Sequence, residues 1–271
     1  MRETDGELAI RAAEAGAAVV RAMYGGRLER FAKSGDDFAT EADVAAERAV
    51  MAVLREARPA DGFLGEESGD LGEGASGRRW LVDPLCGTLN YAARTPLVAV
   101  NVALRADDRV TAAAAADPLA HEVFWTGGEA AHVRSEGRDV PLRPDPTNHL
   151  VDLNLDPPFP NRDWFLAADL LTDEGFTSAF RPRVLSTTLA LAWVAAGRRA
   201  AYVTDGHLRD SVHFSSGIAL CQAAGCVVTN LAGQPVHTGA QGLIAAADAT
   251  IHATLLDLVS HRRQPRTSGR A

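Results

Sequence analysis

Two short acidic segments hold the residues whose types and spacing suit chemistry. Gly65-Glu66-Glu67-Ser68 ends an apolar run, and Trp80-Leu-Val-Asp83-Pro84-Leu85-Cys86-Gly87-Thr88-Leu-Asn90 follows it. Hard divalent cations take several oxygen ligands, which carboxylates and carbonyls supply. Two such ions about 4 Å apart can activate water and stabilise the leaving oxygen of an ester. Glu66 and Asp83 close two successive β-like runs, so they can converge. Pro84 biases Asp83 toward extended backbone, which turns the Leu85 carbonyl and residue 86 toward the same point. Gly87-Thr88 then opens a turn whose N–H groups suit an anion. Each segment alone is usually an ordinary polar turn or strand end; together, in this order and at this spacing, they make a specific motif.

The pair resembles the signature of the inositol monophosphatase family, a GEE turn followed by WxxDPxDGTxN. The resemblance extends along the chain: Lys33 lies in a loop before the second helix, and Asp43 opens that helix. Residues 98–118 resemble a hairpin ending in Asp117-Pro118, Glu122-Val-Phe-Trp begins the next, and Ala223-Ala-Gly225-Cys226-Val-Val-Thr229-Asn230 resembles EAGGxVTD. It implies an α/β fold, the layered αβαβα sandwich of sugar phosphatases. It further implies Mg²⁺ on Glu66, Asp83 and the Leu85 carbonyl, with Asp43 and Thr88 orienting the attacking water. Two positions depart from the family. Cys86 stands where the second Asp of DPxDGT is a metal ligand. Counting back from Ala223 places His213 where the WDxAAG acid stands, although a shift of three residues places Asp210 there.

Two carboxylates are thus exchanged. A unit charge 4 Å away is worth roughly 4 kcal/mol at an effective dielectric of 20, so a second Mg²⁺ is expected to bind weakly. The cofactor expectation is none, or a single weakly bound Mg²⁺. A less negative pocket suits a phosphate or sulfate held by Gly87, Thr88, Cys86, Ser186 and Asp210, beside Lys33. His213 can exchange a proton near neutral pH, with Asp210 orienting its ring, or it is simply a polar residue at a helix start. Cys86 is a thiolate nucleophile or a small filler. Asp83, Cys86 and His213 could also hold Zn²⁺, with no fourth ligand identified.

Three functions follow as expectations. The first is metal-independent release of phosphate or sulfate from a small molecule, by elimination or internal displacement, in a specialised biosynthetic pathway. It uses Asp83, His213, Lys33, Asp43 and Thr88. The second is a one-metal phosphomonoesterase on Glu66, Asp83 and Leu85. The third is a non-catalytic partner of an active relative. The family resemblance implies a dimer, homo- or heteromeric.

The elements that must position these residues are legible in the periodicity. Helical spacing covers 6–23, and Thr40 with Asp43 suggests a capping box opening a helix to 58. β-like runs at 62–65, 79–85, 98–105, 110–116, 122–125 and 130–133 suggest an antiparallel sheet. The Pro/Asp-rich 141–147 marks a boundary between an N-terminal lobe (1–140) and a C-terminal lobe (141–262), with a disordered tail at 263–271. In the second lobe, helices at 161–171, 187–196, 211–224 and 250–260 alternate with strands at 149–155, 200–203, 226–229 and 243–246, an α/β pattern.

The 271 residues, 46% hydrophobic with a net charge of −8, argue against nucleic-acid or anionic-membrane partners. No apolar run approaches a membrane span, and the charged N-terminus carries no signal peptide. Three cysteines are read as free thiols in a reducing cytoplasm, Cys221 and Cys226 as core.

Overall fold

The computed structural model describes residues 3–27, 29–32, 38–72 and 74–261. Lys33 and the expected 263–271 tail lie outside the described residues. The chain forms two compact units. The first comprises residues up to 142 together with 187–192 and 210–223; the second holds the rest.

In the first unit, α1 (Asp5–Met23) and the small hairpin β1 (Arg30–Ala32) and β2 (Phe38–Thr40) precede α2 (Glu41–Ala57). There follow β3 (Gly62–Gly65), β4 (Gly69–Asp70), β5 (Arg78–Cys86), the one-turn α3 (Thr88–Ala92), β6 (Ala99–Ala106), β7 (Arg109–Asp117), β8 (Glu122–Thr126), β9 (Ala131–Ser135) and β10 (Arg138–Pro141). Eight strands form one sheet in the order β10-β9-β8-β7-β6-β5-β3-β4. It is antiparallel except between β3 and β5, which run parallel. That parallel pair matters, because it brings the C-terminal ends of both strands, and so Glu66 and Asp83, to the same end of the sheet.

The alternation of β5 to β7 directs Trp80, Val82, Val100, Val102, Leu104, Ala112 and Ala114 to one face, where the apolar stripes of α1 and α2 cover them. Gly16 allows the close approach, since a Cβ there would lie 2.8 Å from Val50 and 3.0 Å from Val100. The opposite face, with Leu81, Ala103 and Ala113, packs against Val212 and Ala219 from the 210–223 segment. These apolar contacts are why a stretch far along the sequence belongs to the first unit.

The second unit contains β11 (Leu150–Leu153), a 3₁₀ turn at Ala167–Thr172, α4 (Glu174–Ala179) and β12 (Arg181–Val184). Helix α5 (Leu189–Ala195) begins in the first unit; β13 (Ala201–Thr204) follows, and α6 (Ser215–Ala224) lies almost wholly in the first. β14 (Val227–Thr229), β15 (Leu243–Ala246) and α7 (Ala249–Ser260) complete the chain. Its mixed sheet has the order β12-β11-β13-β15-β14, covered by α7 and the Phe165–Phe180 region.

The helix expected over 161–171 is not formed. Asn161 is held instead by Asp205, through its backbone N–H (3.0 Å) and side-chain amide (2.8 Å), and a 3₁₀ turn leads to α4, capped by Asp173. The helix expected from 211 starts at Ser215, because Asp210 has a φ of 53° and 211–214 form a turn. In β11, burial pushes the Asp152 carboxyl up to about 6 against the pull of Arg199, whose Nε donates to it at 2.7 Å. A raised native pKa means the folded chain keeps a proton that the unfolded chain releases above about 4. This contribution to stability is full below about pH 4 and is lost as pH rises through 6. Urea titrations between these values are expected to show the slope in the native chain and not in Asp152→Asn.

Candidate active site

Asp83 sits where β5 leaves its ladder. The register against β6 shifts between Asp83 and Cys86, and Gly87 adopts a φ of 94°, a left-handed conformation that tolerates glycine best. The strand therefore turns sharply and delivers Thr88 to the start of α3. Asp83 is fully buried; its Oδ1 accepts the Leu85 N–H at 3.2 Å, and its Oδ2 lies 2.8 Å from His213 Nδ1.

His213 comes from the turn before α6, and its side chain is 42% exposed. The ring is oriented by Asp83. Asp210 does not do so: it pairs with Arg105 at 2.9 Å. For His213, burial would lower the pKa, but the Asp83 charge and hydrogen bond outweigh it and hold the imidazole well above its usual value. For Asp83, burial alone would raise the pKa; His213, with Glu66 and Cys86 as further hydrogen-bond partners, holds it below the usual range. Each group thus favours the charged form of the other.

Burial, and then the Asp83 charge, push the Cys86 thiol up, while His213 and Thr188 act in the opposite sense. This is not the depressed thiol of a nucleophile. Asp83, Cys86 and His213 each offer a ligand atom, and the three atoms lie within 4.8 Å of one another.

The other acids are positioned by α2. Thr40 and Asp43 form the expected capping box: Asp43 Oδ2 accepts the Thr40 N–H (2.8 Å) and hydroxyl (2.6 Å). Its second oxygen accepts the Thr88 hydroxyl at 2.9 Å, and Leu85 O lies 3.2 Å from the same hydroxyl. One acid thus caps a helix and fixes the turn beyond Asp83. Ser186 lies in the second unit, where its hydroxyl donates to Asp156.

Three positioning residues escaped the sequence reading. Glu47 is buried and accepts the backbone N–H groups of Glu67 and Ser68, both at 2.9 Å, fixing the turn that carries Glu66. Its signal was an acid four residues after Asp43, on the same helix face. Asn101 faces Asp83 across the β5–β6 ladder and donates to the Thr188 hydroxyl at 2.8 Å. The Ser216 hydroxyl donates to Asn101 at 2.8 Å. The signal for Asn101 was a lone amide within an apolar strand. Ser216 carried none.

Gly65 is required by the same packing, since a Cβ there would lie 2.5 Å from Glu47 Oε2 and 2.6 Å from Ser68 Oγ. Gly65→Ala is expected to displace the Glu66 turn and cost about 1–3 kcal/mol. Urea unfolding and a turnover assay on the same variant check both effects.

The chain matches the inositol monophosphatase family over residues 1–264. This chain belongs to the inositol monophosphatase family. The inositol-1-monophosphatase of Caulobacter vibrioides is 34% identical over 233 residues, covering 83% of this chain and 88% of its own. The inositol-1-monophosphatase ImpA of Mycolicibacterium smegmatis is 33% identical over 243 residues, covering 86% and 84%. Among solved structures, the extragenic suppressor protein suhB of Bartonella henselae superposes with a TM-score of 0.81 at 25% identity, covering 97% of this chain and 98% of its own. The fold class is that of the inositol monophosphatases, and membership supports a phosphatase-type function; the family itself is Mg²⁺-dependent. Among the described residues, no helix is long and apolar enough to cross a membrane.

Two carboxylates and a carbonyl, from Glu66, Asp83 and Leu85, suit one hard cation. The thiol of Cys86 and the imidazole of His213 are softer donors that suit Mg²⁺ poorly.

Proposed function

We propose that this family member releases phosphate or sulfate from a small-molecule ester without metal assistance, by elimination or internal displacement in a specialised biosynthetic pathway. The observation that carries this reading is the 2.8 Å contact between His213 Nδ1 and Asp83 Oδ2. A buried carboxylate on one ring nitrogen fixes the orientation and tautomer of an imidazole, leaving Nε2 to give or take a proton. In the reaction, His213 Nε2 takes a proton from the substrate, from carbon in an elimination or from the internal hydroxyl in a displacement. The freed electron pair forms the new bond as the carbon–oxygen bond breaks and the phosphate or sulfate leaves with the ester oxygen, while Asp83 stabilises the imidazolium formed. Thr88, held by Asp43, places a hydroxyl beside the reacting group, and the Gly87-Thr88 amides and Lys33 receive the anion. The protein acts in the cytoplasm as a homodimer, or as a heterodimer with a related subunit.

Phosphate and sulfate release from a panel of sugar and cyclitol esters, measured in EDTA, tests the reading. Sustained release in EDTA supports it. Complete inactivation, reversed by Mg²⁺, overturns it. No turnover alone, with a relative co-purifying, points to the non-catalytic partner instead.

A second reading is favoured by the 2.9 Å contact of Thr88 with Asp43. Glu66, Asp83 and the Leu85 carbonyl would hold one Mg²⁺, which polarises an ester oxygen when bound. Thr88 and Asp43 would orient water for direct hydrolysis. Asp43→Asn is then expected to lower Mg²⁺-dependent phosphate release by about 10²–10⁴-fold; unchanged release excludes this role.

A further inference from the structure

We propose that Asp83, Cys86 and His213 bind a soft divalent cation of the Zn²⁺ class, and that its occupation blocks anion release at the same cluster. The inhibitory consequence rests on the function proposed above, whereas the binding stands on geometry. A carboxylate oxygen, a thiol sulfur and an imidazole nitrogen lie within 4.8 Å of one another, and the nitrogen and oxygen are 2.8 Å apart. Around a tetrahedral Zn²⁺ with bonds of roughly 2.0–2.3 Å, neighbouring donors sit about 3.3–3.8 Å apart. The ring and the sulfur reach that spacing by adjusting within about 1 Å.

The donor chemistry selects the ion. Thiolate and imidazole favour Zn²⁺, whereas carboxylate, carbonyl and water favour Mg²⁺. One thiolate and one carboxylate also balance the charge of a divalent cation. The 42% exposure of His213 leaves a solvent-side position for a water as fourth ligand, as in zinc sites with three protein ligands. Asp83 is already held by the Leu85 N–H at 3.2 Å, the kind of outer support that orients a ligating carboxylate. On binding, sulfur–metal, nitrogen–metal and oxygen–metal bonds form and no bond to carbon changes. The thiol proton goes to solvent, and the ligating nitrogen yields its proton to solvent or to the other ring nitrogen. Nothing is oxidised. A ring bound in this way no longer exchanges a proton with substrate, so turnover stops.

Co²⁺, titrated into the reduced full-length protein, tests the binding through its thiolate-to-cobalt charge-transfer absorption in the near ultraviolet. One equivalent is expected to develop the band, and Zn²⁺ to abolish it by displacement while excess Mg²⁺ leaves it unchanged. Cys86→Ser, verified as folded by circular dichroism, is expected to lose the band. His213→Ala is expected to weaken binding by more than the roughly 10–100-fold that loss of an outer partner costs. No band in the native protein, or a band unchanged in Cys86→Ser, overturns the proposal, the latter by placing the sulfur ligand at Cys221 or Cys226. The two proposals fail separately. A Cys86-dependent band with Mg²⁺-requiring activity sinks only metal-free anion release; EDTA-resistant release without a band sinks only the soft-metal site.

Discussion

His213→Ala is expected to lower turnover by about 10²–10⁴-fold, the range that a positioned general acid or base contributes. The ring is part-exposed and is the one that Asp83 holds at 2.8 Å, so its removal takes away the proton carrier and leaves the carboxylate in place. The stability cost should be smaller than the about 3–5 kcal/mol that breaking a fully buried pair incurs. Water can enter the half-exposed ring position, and the Leu85 N–H still donates to Asp83. Urea unfolding therefore separates lost chemistry from lost fold. Turnover of His213→Ala within a few-fold of the native chain would remove His213 from the mechanism. The complementary variant carries Cys86→Asp and His213→Asp together. It restores oxygen ligands at both exchanged positions and is expected to gain EDTA-sensitive, Mg²⁺-dependent phosphate release. Loss of all activity in this double variant, despite a native unfolding curve, would show that ligand type alone does not separate this chain from its relatives.

Trp80→Ala is expected to destabilise the chain by about 3–5 kcal/mol, the usual cost of truncating a buried Trp. Trp80 is fully buried between the sheet and the α1/α2 layer, and its Nε1 donates to Asp61 at 2.9 Å. Asp61 also accepts from Arg78 at 3.2 Å and from Ser76 at 2.9 Å, so the indole is one of three donors closing that end of β5. Truncation opens a cavity three residues before Asp83 and loosens the strand that carries it. Chemical denaturation is expected to show the loss, with Trp80→Phe recovering most of the packing and none of the indole hydrogen bond. A cost below about 1 kcal/mol for Trp80→Ala would mean that the surrounding apolar side chains collapse into the space.

Much of the site could be read before folding because its residues are close in sequence. Asp83, Leu85, Cys86, Gly87 and Thr88 share one turn, and Thr40 and Asp43 share one capping box, so local backbone rules suffice to group them. Glu66 joined them through the order of two strands. Asp210 was misread because adjacency on a helix start suggested it as the partner of His213; its positive φ directs it to Arg105 instead. Glu47, Asn101 and Ser216 were missed because each acts through a partner at least 20 residues away in sequence. An acid, an amide or a hydroxyl in an amphipathic pattern does not announce such a partner.

The sequence by itself determined the residue types: two hard acids on successive strands, a thiol and an imidazole where carboxylates would bind metal, and the apolar periodicities that build the helices and strands. Only the tertiary structure decided that the imidazole lies against Asp83 and that the thiol lies beside both. Residues 210–223 return to the first sheet because Val212 and Ala219 bury apolar surface on Leu81, Ala103 and Ala113, which the periodicity of the segment does not specify. That packing spans more than a hundred residues of chain and sets the distance between His213 and Asp83, on which the proposed chemistry depends.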